Sequence, residues 1–114
     1  MKQLEDITLT PNQSKALSEL KHRLREDFEV ESIVLYGSVV RGEADEESDV
    51  DMLVLTAQPL DRRSRHRITD AVFEVNLRYD TNFSTLVIDR DSWEHGPVCA
   101  LPIRDDILSD GVPI

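Results

Sequence analysis

Between Ala16 and Phe28 the apolar residues fall at Ala16, Leu17, Leu20, Leu24 and Phe28, the spacing that lays one stripe along a helix. Thr10-Pro11-Asn12-Gln13 stands just before them. Thr10 suits the N-cap, Pro11 the first helical position, and Gln13 the position from which a side chain reaches back to the cap. This predicts an amphipathic helix of about four turns. The period then changes. Val30 to Tyr36 reads as a short strand ended by Gly37, and Val50 to Thr56 as a second, with an acidic stretch before it and Pro59 after it. Ser38 to Gly42 reads as one short helical turn between them. From about Leu60 to Tyr79 the helical period returns, with Ile68, Ala71, Val72, Val75 and Leu77 at the apolar positions. Phe83 to Ile88 is a third strand. Asp91-Ser-Trp-Glu reads as a short turn, and Ile103 to Leu108, ahead of Gly111, as a final short helix. Elements alternating in this way predict an α/β fold, a small mixed β-sheet flanked by helices, with residues 1–114 as one domain.

Composition narrows the class. A chain of 114 residues has room for one real core and not two. With 39% hydrophobic and 32% charged residues it is expected to be globular with a well-charged surface. A net charge of -10 argues against a broad grip on nucleic acid, which needs clustered cations facing the phosphates. The one cysteine, Cys99, excludes an internal disulfide and multi-cysteine zinc sites; a lone cysteine is ordinarily a small packed residue. The first residues carry acids where a signal peptide needs an apolar core, and no run approaches about 20 apolar residues. The expectation is a soluble, cytoplasmic protein without membrane association.

The chemistry concentrates in LYGSVVRGEADEESDVDMLVL, residues 35–55, where six carboxylates fall in the nine residues from Glu43 to Asp51. Asp49 and Asp51 flank Val50 at the start of the second strand, so strand alternation points both carboxylates one way and Val50 into the core. Such a pair repels unless protonated or bridged, and a hard cation such as Mg²⁺ is the usual bridge. Asp45, Glu46 and Glu47 deepen the negative potential, although an acidic run by itself is ordinarily a solvated loop. The Gly-Ser pair alters that reading. Gly37 permits a tight turn at the end of a buried strand, and the Ser38 hydroxyl with the backbone N–H groups after it can receive phosphate oxygens. Arg41, one turn further on, adds a cationic fork suited to phosphate, and Gly42 lets the chain leave. Phosphate ligands and metal ligands thus stand at the two ends of one loop, with ten residues between Ser38 and Asp49.

Gly37-Ser38, ten residues, then Asp49-Val50-Asp51, with Arg41-Gly42 inside and Ser48 before the first aspartate, resembles the signature of the DNA polymerase beta-like nucleotidyltransferases. It is most similar to their small stand-alone form, the minimal nucleotidyltransferase (MNT) domain. The resemblance implies that a nucleoside monophosphate, AMP from ATP, passes to an acceptor with release of pyrophosphate. It assigns Asp49 and Asp51 to Mg²⁺ and catalysis, and Gly37, Ser38 and Arg41 to the nucleotide. A chain of this size leaves no space for an acceptor domain, so a separate protein is expected to supply the acceptor. For the family that partner is a HEPN-type toxin, which an MNT antitoxin neutralises by adenylylating it or by contact alone. The family also implies a third acid, flanked by apolar residues, on the neighbouring strand. Here Ser84 stands at the centre of that triplet. Asp80 at the strand entrance ranks ahead of Asp89 at its exit as a displaced substitute, and each also reads as a turn residue.

Outside this stretch the signals are weaker. Arg62-Arg63-Ser64-Arg65-His66-Arg67 opens the long helix and reads as a solvated first turn rather than a phosphate-facing patch. His22, His66 and His95 share no ligand spacing. Trp93 is expected to pack against the core rather than stack on adenine.

Overall fold

The computed structural model describes residues 3–42 and 49–114, and of Cys99 the backbone alone. Residues 43–48, which hold most of the acidic stretch together with Ser48, lie outside the described residues, as does the side chain of Cys99.

Helix α1 (Pro11–Asp27) starts with the expected capping box: Thr10 Oγ1 accepts from the Gln13 N–H at 3.1 Å, and the Thr10 N–H donates to Gln13 Oε1 at 2.9 Å. A cap of this kind is worth about 1 kcal/mol. The stripe of Ala16, Leu17, Leu20 and Leu24 is buried, and each fully buried Leu contributes about 1.5–3 kcal/mol. Strand β1 (Val30–Tyr36), the single turn α2 (Ser38–Arg41) and strand β2 (Val50–Thr56) follow within the predicted bounds.

Four strands form one sheet in the order β3-β2-β1-β4, where β3 is Phe83–Asp89 and β4 is Val112–Pro113. Strand β1 runs antiparallel to β2 and β4, while β2 and β3 are parallel, so the expected mixed sheet is present. Both of its faces carry apolar side chains. Ile33, Leu35, Val50, Met52, Val54, Phe83 and Val112 pack under α1 and α3 (Arg62–Tyr79). Val34, Tyr36, Leu53, Leu55, Leu86 and Ile88 point the other way, toward Trp93 on α4 (Arg90–His95) and Ile107 on α5 (Pro102–Asp110). Two-sided burial is why Met52 to Leu55 is continuously apolar rather than alternating.

Several elements differ from their sequence expectation. Helix α3 starts at Arg62 rather than Leu60 because Asp61 Oδ1 accepts from the Ser64 N–H at 2.8 Å and fixes the cap there. Leu77, expected on its apolar stripe, is 69% exposed, since it sits about 200° around the helix from buried Val75. Strand β3 runs one residue further than expected, to Asp89, and α5 extends beyond Ile103 and Leu108 at both ends. Short 3-10 turns at Leu4–Asp6 and Pro97–Ala100, and strand β4, were not predicted. Strand β4 is two residues long; Val112 is fully buried beside Leu35, and Pro113, which has no N–H, is tolerated because β4 is an edge. Among the described residues no helix is long and apolar enough to cross a membrane.

Candidate active site

Strand β1 ends at Tyr36, and the chain turns through Gly37 at φ 87° into α2, then through Gly42 at φ 74° after it. Positive φ suits glycine at both positions. Gly37 carries a second constraint: a Cβ built there would lie 2.5 Å from Asp51 Oδ2. The Gly-Ser turn and the second aspartate of the pair are therefore in direct contact.

The sheet places Asp51 in the middle of a row. Tyr36 on β1 is its antiparallel Cα partner, and Ser84 on β3 is its parallel one. Partners in register share a face, here the face that continues into the Leu53 and Trp93 cluster. Val50 is fully buried on the opposite face, as alternation predicts. Asp49 is exposed immediately before β2, and Asp51 is half-buried. Ser38 is the first residue of α2 and half-buried; Arg41 is its last and exposed.

Electrostatics link these groups. Burial raises the Asp51 pKa above the ordinary carboxylate range, the Asp49 charge raises it further, and the Arg41 guanidinium opposes both. Burial, and then the Asp51 charge, likewise raises the Tyr36 phenol. Two hard carboxylates close enough to repel, against a glycine that leaves their flank open, form a donor set that fits a hard divalent cation. Among the described residues no group of three or more His, Cys, Asp or Glu converges for a metal, so Asp49 and Asp51 are the carboxylates available there.

Neither aspartate near Ser84 takes the place of a third acid in the row. Asp80 caps α3 in the left-handed conformation at φ 55°, with its N–H on the Asn76 carbonyl, and is exposed. Asp89 pairs with Thr56 at the far end of the β2–β3 ladder. Its carboxylate caps α4, accepting from the Ser92 N–H at 3.0 Å and the Ser92 hydroxyl at 2.7 Å. Both are turn or cap residues, as the alternative reading held.

The arginine cluster lies away from the pair. Asp49 and Asp51 open β2, whereas α3 begins beyond its other end at Thr56. Arg65 donates to the Val87 carbonyl at 3.1 Å, and the Arg67 guanidinium sits 5.1 Å from the Phe28 ring centre. The histidines His22, His66 and His95 are exposed. Trp93 is buried, with Arg104 over its ring at 5.4 Å.

Two positions that shape the row were missed from sequence. Tyr36 was read only as the end of a strand. Asn76 was not singled out, yet its side chain accepts from the Phe83 N–H at 2.8 Å and donates to the Phe83 carbonyl at 3.1 Å. It also accepts from the Thr81 hydroxyl at 3.0 Å, and so fixes where β3 begins. An amide in the last turn of a helix, followed by Thr and a strand, was the available signal.

A family model described as a nucleotidyltransferase domain matches residues 17–98. The chain belongs to this family. The match runs from within α1 past α4 and so includes Gly37, Ser38, Asp49, Asp51 and Ser84. A putative protein adenylyltransferase of Methanocaldococcus jannaschii is 38% identical over 77 residues, covering 64% of this chain and 52% of the relative. The protein adenylyltransferase MntA of Thermococcus cleftensis is 62% identical over 34 residues, 30% of this chain and 34% of the relative. The matched part of the chain spans about half the length of the first of these relatives. Among solved structures, a toxin–antitoxin complex with AMP-PNP aligns at TM-score 0.59 and 19% identity, over 91% of this chain and 72% of the other. A tri-AMPylated Shewanella oneidensis HEPN toxin in complex with its MNT antitoxin aligns at TM-score 0.54 and 19% identity, over 88% and 69%. These structural alignments show that the expected nucleotidyltransferase fold is present.

Proposed function

We propose that this nucleotidyltransferase domain transfers AMP from ATP, with Mg²⁺, to a partner protein in the cytoplasm. The contact between Gly37 and Asp51 carries the reading, because a turn suited to phosphate lies against a carboxylate suited to a hard cation. Asp49 and Asp51 would hold the cation, whose chemistry there would be to neutralise charge on the phosphates. The Ser38 hydroxyl and the N–H groups of Ser38 and Val39 would receive phosphate oxygens, while those of Val40 and Arg41 donate to the Gly37 carbonyl at 3.1 and 3.3 Å and hold the turn. Arg41 would add positive charge beside them.

In the transfer an acceptor hydroxyl oxygen bonds to the α-phosphorus while the bond from that phosphorus to the bridging oxygen breaks. Pyrophosphate leaves, and the hydroxyl proton goes to water. The chain's contribution is to hold the phosphates against the Asp pair and restrict their geometry.

A HEPN-type toxin is the proposed partner. The names of the adenylyltransferase relatives and of the toxin–antitoxin neighbours support it. So do Phe73 and Leu77, 63% and 69% exposed one turn apart on α3, since paired large apolar side chains left in water suit a protein contact. The second reading, an antitoxin that acts by contact with little transfer, is favoured by one observation: Ser84, a hydroxyl, is the β3 neighbour of Asp51.

The test incubates the chain with labelled ATP, Mg²⁺ and the protein encoded beside it, comparing wild type with Asp49→Asn/Asp51→Asn. Label that reaches the partner only with wild type supports transfer. Neutralisation of the partner that survives the double substitution, with no label transferred by wild type, supports the contact reading instead.

A further inference from the structure

We propose that Ser84 limits this domain to one chain-held divalent cation in the nucleotide complex, and that a carboxylate at this position recruits a second. The inference rests on the reading of Asp49 and Asp51 as cation ligands. It starts from the row Tyr36–Asp51–Ser84, in which three strands present a hydroxyl, a carboxylate and a hydroxyl in register on one sheet face.

Neighbouring strands stand about 4.8 Å apart, and a pair of catalytic cations stands about 3.5–4 Å apart. A side chain directly beside Asp51 on β3 is therefore within reach of a second ion sharing the Asp51 carboxylate. The side chain that stands there is a serine. A neutral hydroxyl brings no charge, whereas hard divalent cations are held chiefly by carboxylates and phosphates.

The remaining described residues do not fill the gap. Asp80 stands outside the row, at the C-cap of α3 and three residues ahead of the start of β3, and the Asp89 carboxylate caps α4 at the far end of β3. Tyr36, on the other flank of Asp51, brings a phenol and no carboxylate. Among the described residues, the charge of Asp49 and Asp51 together matches a single divalent ion.

Ser84 is also free to change. It is exposed, and its strand is registered by other groups: Asn76 grips Phe83, and the Val50 N–H donates to the Asn82 carbonyl at 2.9 Å. Replacing it alters the site without removing a packed side chain.

The experiment counts bound Mn²⁺ by electron paramagnetic resonance on the full chain, with a non-hydrolysable ATP analogue at saturation. Wild type is expected to hold one ion per chain, Ser84→Asp two, and the uncharged isostere Ser84→Asn one. Ser84→Glu repeats the measurement with a longer carboxylate should Ser84→Asp melt well below wild type. Two ions in wild type, or one in both acidic variants with the analogue bound, overturns the proposal while leaving the nucleotide site intact. Neither ion nor analogue bound by wild type overturns the parent reading and this one with it.

Discussion

Gly37 and Asp51 are in contact through the space that a Cβ would fill: the carboxylate oxygen Oδ2 lies 2.5 Å from that position. Gly37 also adopts φ 87°, so alanine there meets backbone strain and a displaced carboxylate together. Gly37→Ala is expected to cost about 1–3 kcal/mol of stability and to abolish Mg²⁺-ATP binding. Thermal melts with and without Mg²⁺-ATP check both effects. A variant that folds and binds like wild type would break the link between the turn and the Asp pair.

Asp51 makes stability depend on pH. Burial first, and then Asp49, raises its pKa, with Arg41 in opposition. The folded chain therefore holds the Asp51 proton more tightly than the unfolded chain. Its contribution to stability is fully present below the ordinary Asp value of about 3.9 and is lost as pH rises through the raised folded value. Asp51→Asn carries no charge at any pH. In chelator it is expected to melt above wild type at neutral pH, with the difference closing as the pH falls below about 4. A variant less stable than wild type across that range would contradict the account.

Asn76 acts on the row from a distance through three side-chain hydrogen bonds to Phe83 and Thr81. Leaving the Phe83 backbone groups unpaired costs about 1–3 kcal/mol each where they are buried. Asn76→Ala is therefore expected to lower the melting temperature and to weaken Mg²⁺-ATP binding, because β3 loses its anchor next to Ser84. Hydrogen exchange at the Phe83 amide should rise in the same variant.

Asp89 separates capping from chemistry. Hydrogen bonds from the Ser92 side chain and then its backbone lower the Asp89 pKa, so its stabilisation is present above the ordinary Asp range and is lost as the pH falls through the lowered folded value. Asp89→Ala is expected to melt earlier than wild type at neutral pH yet to retain its affinity for Mg²⁺-ATP. Lost affinity in a well-folded Asp89→Ala would place this carboxylate in the site after all.

Much of this arrangement was legible in the sequence because it is local. The Thr10 capping box, the bounds of β1 and β2 and the short turn α2 follow from residues within a few positions of one another. The shared side of Asp49 and Asp51, opposite buried Val50, needs only strand alternation. What escaped depends on register between distant segments. That Tyr36 and Ser84 flank Asp51 is decided by how β1, β2 and β3 pair, and alternation within one strand does not carry it. Strand β4 escaped because two residues have no period. Leu77 was misplaced because in a helix containing both Val75 and Leu77 only packing decides which one faces the core.

The central claim, that Gly37, Ser38, Asp49 and Asp51 form one metal–nucleotide site, is tested most directly by the melting temperature with Mg²⁺ and ATP, alone and together. A ligand that binds only the folded state stabilises it by about 2.7 kcal/mol at a hundredfold excess over its Kd, a shift of several degrees for a domain of this size. Wild type is expected to show that shift only when Mg²⁺ and ATP are both present, and Asp49→Asn/Asp51→Asn to show none. No shift in wild type at millimolar concentrations, or an equal shift in the double variant, would contradict the account.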